Sequence, residues 1–110
     1  MFKKKEKELA ARHNDGKLPM HLVPTDAIRG MAQVLKVGAE KYELRNWEKG
    51  AYYSVPYASL MRHLLAFWDG EDIDSESGRP HLEHVLTNAA FLLRYYEQFP
   101  ELDDRPGKEE

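Results

Sequence analysis

The sequence predicts an all-α fold: a small bundle of three main helices with a short N-terminal segment. Apolar residues recur at helical spacing in three stretches, no stretch alternates β-branched residues with a period of two, and Pro24, Pro56 and Pro80 stand where the three stretches begin. At 110 residues and 42% apolar content, the chain has the size of one hydrophobic core and is too apolar for disorder. Three main helices form a thin layer with limited burial, so pairing into a homo-oligomer is expected.

The first helix is expected from Pro24-Thr25-Asp26 to about Tyr42, with Thr25 or Asp26 accepting from the free amides of the first turn. Ile28, Met31, Val34, Leu35 and Ala39 share one arc of it, and Arg29, Gln33, Lys36 and Glu40 lie opposite. Residues 43–53 break the period with Asn46, Gly50 and three aromatics, which reads as an anchored loop. The second helix runs from about Pro56 to Asp69-Gly70, with Tyr57, Leu60, Met61, Leu64, Phe67 and Trp68 on its apolar arc and His63 at the edge.

The third helix is expected from Pro80 to about Phe99. With His81 at zero, Leu82, Val85, Leu86, Ala89, Leu92, Leu93 and Tyr96 span about 20° to 140° and are the expected core, whereas Glu83, Thr87, Arg94 and Glu97 read as the solvent face. His84, Asn88 and Tyr95, bordered by His81, make a third, polar stripe of the kind that walls a cleft. The domain therefore spans residues 17–99, between a charged arm at 1–16 and a flexible tail at 100–110.

Composition excludes several classes. Without cysteine there is no disulfide framework, thiolate metal site or cysteine nucleophile, so a metal needs His, Asp, Glu or Asn, and a cytoplasmic address is expected. Glu6-Lys7-Glu8 occupies the place of a signal-peptide apolar segment, and the run Ala89–Leu93 is far short of the roughly 20 residues that span a bilayer. A net charge of −3 and a pI near 6.0 lack the basic field of a nucleic-acid binder. Neither a membrane nor a nucleic acid is an expected partner.

The chemistry concentrates between Arg62 and Asn88. Five carboxylates in residues 69–76 repel one another unless a cation or protonated imidazoles lie nearby. Antiparallel packing of the second and third helices brings His63, Glu71, Asp74, His81 and His84 to one end of the pair. An EF-hand is excluded because Ser77 stands where its glycine belongs, and no P-loop, nucleophile elbow or HExxH is present. A second patch runs from Gly38 to Gly50: Lys41 or Lys49 suits a phosphate, Trp47 or Tyr42 a planar ring and Asn46 a base edge.

The words KLPMHLVP (17–24), GAEKY (38–42), NWEKG (46–50) and RHLLAFWDGEDIDSESGRPHLEHVLTNAAFLL (62–93) together resemble the N-terminal domain family of bacteriophage dATP/dGTP diphosphohydrolases. The resemblance implies hydrolysis of purine deoxynucleoside triphosphates to monophosphate and pyrophosphate, in the host cytoplasm where the protein is phage-encoded. It also implies an oligomeric all-α fold related to the MazG-type pyrophosphohydrolases, using Mg²⁺ or Mn²⁺, with Co²⁺ a further candidate. The paired EExxE and ExxD helical signature of that superfamily is absent here. On this reading His63, Glu71 and His84 hold the cation, Asp74 or else Glu40 accepts the proton of the attacking water, Lys41 pairs with phosphate, Asn46 and Trp47 contact the base, and His81 and Asn88 line the pocket. The alternative is a noncatalytic helical module whose His and acidic groups make polar contacts between copies.

Overall fold

The computed structural model describes residues 8–108, so the start of the expected arm and the last two residues of the expected tail lie outside the described residues. The fold is all-α. Helix α1 spans Thr25–Lys41, α2 Ser54–Trp68 and α3 His81–Gln98, with short 3-10 turns at Met20–Leu22, Asn46–Lys49 and Pro100–Leu102. The helix limits lie within about two residues of those read from periodicity, because the prolines and glycines that bound them act locally. One expectation fails at α1. Pro24 is its N-cap and no side chain caps it; Thr25 already lies inside the helix and its hydroxyl accepts from Arg29 at 3.1 Å.

Gly70 ends α2 with φ of 100°, its amide donating to the Phe67 carbonyl and that of Glu71 to the Ala66 carbonyl. That reverse turn needs a left-handed residue, which glycine adopts without a Cβ clash. The chain then folds back, and α3 packs against both α2 and α1. At the α1–α3 crossing, buried Gly30 admits the Glu83 side chain so closely that a Cβ would sit 2.8 Å from Glu83 Cγ. Arg79 holds Glu83 in a two-pronged ion pair at 2.8 Å.

Helix α3 is turned largely away from its expected orientation, with only Val85 and Leu92 of the expected core arc half-buried. Thr87, His81 and Tyr95 are its buried residues, with Glu83, His84, Asn88 and Phe91 half-buried beside them. Leu82, Leu86, Leu93 and Tyr96, from the expected core arc, are 43%, 40%, 59% and 62% exposed. Thr87, read from the sequence as solvent-facing, is the most buried side chain, its hydroxyl donating to the Glu83 carbonyl at 2.8 Å. The inversion holds because every polar group of the inward stripe finds a partner; no buried side-chain nitrogen or oxygen is left unsatisfied among the described residues. Each leucine left in water forgoes about 1.5–3 kcal/mol of burial. The expected core of α2 is likewise split, since Tyr57, Leu64 and Trp68 point outward.

Residues 100–105, read as tail, dock on the start of α2. Asp104 accepts from the Ser54 amide at 2.9 Å and bonds the Ser54 hydroxyl, capping α2 from 50 residues away. The Tyr53 amide donates to the Leu102 carbonyl, and Gly50, at φ of 91°, lies flat against Phe99 and Leu102. The domain is elongated, 58 × 37 × 29 Å. No helix among the described residues is long and apolar enough to cross a membrane.

Candidate metal centre

The acidic segment between α2 and α3 is a pinned hairpin. Asp74 donates its amide to the Arg79 carbonyl at 2.9 Å, Gly78 to the Asp74 carbonyl at 2.7 Å, and His81 to the Asp72 carbonyl at 2.9 Å. Asp74 Oδ2 also accepts from the Ser77 amide at 3.0 Å, an Asx-type turn that fixes its carboxylate, and Gly78 supplies the left-handed residue at φ of 75°. This local framework delivers a half-buried carboxylate to the start of α3.

Three imidazoles meet it there. His63 comes from α2, while His81 and His84 come from the first turn of α3. The His63 and His84 rings stack with centroids 4.2 Å apart and planes 7° from parallel. His63 Nδ1 and His81 Nδ1 are 2.8 Å apart, and His81 Nε2 is 2.9 Å from Glu71 Oε1. One assignment satisfies both contacts with neutral rings: His81 donates from Nε2 to Glu71, and His63 donates from Nδ1 to His81 Nδ1. That leaves the lone pair of His63 Nε2 outside both bonds. His84 Nε2 lies 2.7 Å from the Ser77 hydroxyl and 3.6 Å from Asp74 Oδ2.

Charge states suit a cation. Burial pushes the His63 imidazole below the ordinary range, reinforced by the nearby His84 ring. Burial does the same to His84, more strongly than the neighbouring Asp74 carboxylate opposes it. For Asp74, burial alone acts upward, but the Ser77 hydrogen bonds and the adjacent His84 together hold the carboxyl below its usual value. Neutral imidazoles beside an ionised carboxylate are the protonation states that metal ligation requires. One donor atom each from His63, Asp74 and His81 lie within 4.8 Å of one another, a nitrogen–oxygen set that fits a divalent cation.

The structure thus brings together His63, Glu71, Asp74, His81 and His84, with different pairings from those expected. Glu71 is exposed and reaches the far nitrogen of His81. His84 is engaged by Ser77. The clustered donors are His63, Asp74 and His81, in place of the His63, Glu71 and His84 set. Asn88 donates to the Ser59 hydroxyl at 3.1 Å and to the His84 carbonyl at 2.9 Å, tying α3 to α2. Glu40 is exposed on α1, outside this cluster. Ser77 and Ser59 were not singled out by the sequence; an Asp followed three residues later by Ser is the only local signal, and it marks a turn.

A cleft of about 560 Å³ opens between the end of α1, the loop at residues 42–48 and α3, lined by Leu35, Gly38, Tyr42, Asn46, Trp47 and Phe91. Trp47 stacks on Phe91 at 5.2 Å and 15°, lies 5.1 Å from the Arg94 guanidinium, and its carbonyl accepts from the Tyr95 hydroxyl. Lys41 Nζ, at 3.5 Å from Glu76 Oε1, links the end of α1 to the acidic hairpin.

Fold and site define a small helical domain with a paired-imidazole and carboxylate donor set, beside an aromatic-lined cleft. The chain belongs to the dATP/dGTP diphosphohydrolase, N-terminal family, whose model matches residues 7–105. A dATP/dGTP diphosphohydrolase of Salmonella phage PMBT28 is 29% identical over 94 residues, covering 86% of this chain and 32% of that protein. The chain thus spans about a third of the length of the curated relative it matches. No solved structure matches it.

Proposed function

We propose that this domain hydrolyses purine deoxynucleoside triphosphates, dATP and dGTP, to the monophosphate and pyrophosphate with the help of Mg²⁺ or Mn²⁺. The observation that carries this reading is the His63, Asp74 and His81 donor cluster. The family description and the name of the phage relative supply the substrate class. When bound, a divalent cation neutralises phosphate charge and makes a water nucleophilic near neutral pH.

The protein's own groups have distinct tasks. His63, Asp74 and His81 would hold the cation, His81 through the Nδ1 lone pair that accepts from His63 in the metal-free protein, and Glu71 fixes the His81 ring through Nε2. Asp74, the expected base, is assigned here to the ligand set. His84 accepts a proton from the attacking water, its ring kept neutral by burial and steadied by Ser77 and by stacking on His63. Lys41 exchanges its exposed contact with Glu76 for a phosphate oxygen. The purine enters the cleft beside Asn46 and Trp47.

The test is a panel of dNTPs with Mg²⁺, Mn²⁺ and Co²⁺, the products separated by chromatography. Monophosphate and pyrophosphate are expected from dATP and dGTP, with turnover abolished in His81→Ala. Absence of turnover with every metal would leave the noncatalytic module, which gives no thermal shift with Mn²⁺ plus dATP. Saturation at 100 times Kd adds about 2.7 kcal/mol to a protein that binds.

A further inference from the structure

The chain that joins α1 to α2 carries Asn46 and Trp47, and its shape is not one that its own residues favour. Arg45, immediately before the 3-10 turn, sits in the left-handed region at φ of 61° and is the only residue other than glycine with a positive φ among the described residues. A residue of that kind persists only where its surroundings over-determine it, and such places cluster at ligand clamps. Burial of the loop's own side chains gives little hold, because Asn46 is exposed and Trp47 half-buried.

The hold comes from two tyrosines that exchange hydrogen bonds. Tyr95 of α3 donates its hydroxyl to the Trp47 carbonyl, near the start of the loop. Tyr53, at the end of the loop, donates its hydroxyl to the carbonyls of Tyr95 and Phe99, each at 3.1 Å. Both tyrosines are buried, Tyr53 5% and Tyr95 4% exposed, so water does not compete for these bonds.

Residues 99–105 close over Tyr53 as a strap. The Tyr53 amide donates to the Leu102 carbonyl at 3.2 Å and the Ser54 amide to Asp104 at 2.9 Å, while Arg105, held by Asp103, lies 5.8 Å over the Tyr53 ring. Gly50 is pressed against the same strap, where a Cβ would meet the Phe99 ring at 3.0 Å. These contacts lie away from the metal centre: position 53 precedes His63 along α2, and position 95 follows His84 along α3, by about 15 Å in each case.

We infer that Tyr53 is a positioning residue for the base: with the strap it holds the loop in the shape that receives a purine, and it takes no part in holding the cation. The inference rests on the reading that the purine enters this cleft. A loop already held in its binding shape spares the substrate the entropy of ordering it. Loosening the two-tyrosine clasp therefore weakens nucleotide binding and leaves the chemistry at phosphorus alone.

The chain has two tryptophans and Trp68 is 83% exposed, so Trp68→Phe leaves Trp47 as the sole tryptophan emitter. In that background Tyr53→Phe keeps the ring and deletes the hydroxyl, and Asp104→Ala frees the strap from Ser54. Both should keep their far-ultraviolet dichroism and make Trp47 more accessible to acrylamide quenching. Asp104→Asn keeps an acceptor for the Ser54 amide and should restore the parent's quenching. KM for dATP with Mn²⁺ should rise about three- to tenfold in Tyr53→Phe and Asp104→Ala, the scale of one lost hydrogen bond, with kcat unchanged. Calorimetry with Mn²⁺ alone should return the parent's affinity in both. Quenching that neither variant alters overturns the inference, as does a loss of Mn²⁺ affinity, which would make the clasp a support of the whole fold. Greater quenching with KM unchanged overturns it by placing the purine away from this loop. A parent with no dATP turnover overturns the reading of the cleft itself, and the role of Tyr53 toward the base falls with it.

Discussion

His63 and His81, on different helices, share one hydrogen bond between their Nδ1 atoms at 2.8 Å. Two identical ring atoms can bond only if one holds a proton and the other does not, so the tautomer of each ring depends on its neighbour. Glu71 breaks the symmetry by accepting from His81 Nε2. A carboxylate outside the donor cluster thereby determines which nitrogen of His63 is free.

Glu71→Ala should therefore weaken Mn²⁺ binding by about 10- to 100-fold, the usual cost of losing a partner that orients a ligand. Titration calorimetry with Mn²⁺ alone reads this directly. Equal affinity in the variant would remove Glu71 from the site.

Asp74 holds the hairpin through Ser77 and contributes a carboxylate oxygen to the donor cluster. Asn at this position keeps an acceptor for the Ser77 amide and loses the charge. Asp74→Asn should keep its helix content and lose most of the Mn²⁺-induced rise in melting temperature. A variant that retains the full rise would show that the carboxylate is not a ligand.

Acid should weaken the metal-free fold before the carboxylates titrate. His63 and His84 have folded values lowered from 6.5, mainly by burial. Between 6.5 and those lower values the unfolded chain binds more protons than the folded one, so stability rises with pH across that window. It is therefore lost as pH falls below about 6.5, and a His63→Phe and His84→Phe double variant should flatten the slope. Urea denaturation at a series of pH values measures it, and an unchanged slope would contradict the burial of these rings as neutral groups.

Tyr95→Phe deletes the hydroxyl that donates to the Trp47 carbonyl. Loss of one such bond costs about 0.5–1.5 kcal/mol, read as a lower denaturation midpoint. Because Trp47 lines the cleft, KM for dATP should rise more than kcat falls. A fall in kcat with KM unchanged would place Trp47 away from the substrate.

Gly30→Val fills the space that Glu83 occupies, where even a Cβ would be 2.8 Å from Glu83 Cγ. Overpacking of this kind costs about 1–3 kcal/mol and should dislodge the Arg79–Glu83 pair. Thermal unfolding of the two proteins checks it; equal midpoints would mean that α1 shifts off α3 freely.

Much of the fold was legible from local cues. Pro24 and Pro80 stop the backbone from entering a helix earlier, Gly70 permits the turn that ends α2, and the 3.6-residue repeats between them survive as helices. The candidate site was legible as a neighbourhood: two helices joined by a short acidic hairpin must bring His63 close to His81 and His84. Its pairings were not. Asp74 instead of Glu71 joins the cluster because Ser77 and the Asp72–His81 backbone bond fold the hairpin one way, and neither contact has a periodic signature.

The sequence by itself determined that this chain is helical, where each helix starts and stops, and which stretch gathers the imidazoles and carboxylates, since all three follow from short-range spacing and side-chain type. Only the tertiary structure decided which way α3 faces. Hydrophobic periodicity measures an average preference for burial and selects Leu82, Leu86 and Leu93, whereas Thr87, His81 and Tyr95 go inside because an acceptor satisfies each of them, the Glu83 carbonyl of the same helix for Thr87, Glu71 for His81 and the Trp47 carbonyl for Tyr95. For His81 and Tyr95 that satisfaction depends on groups outside α3, and no stripe on a single helix can register it.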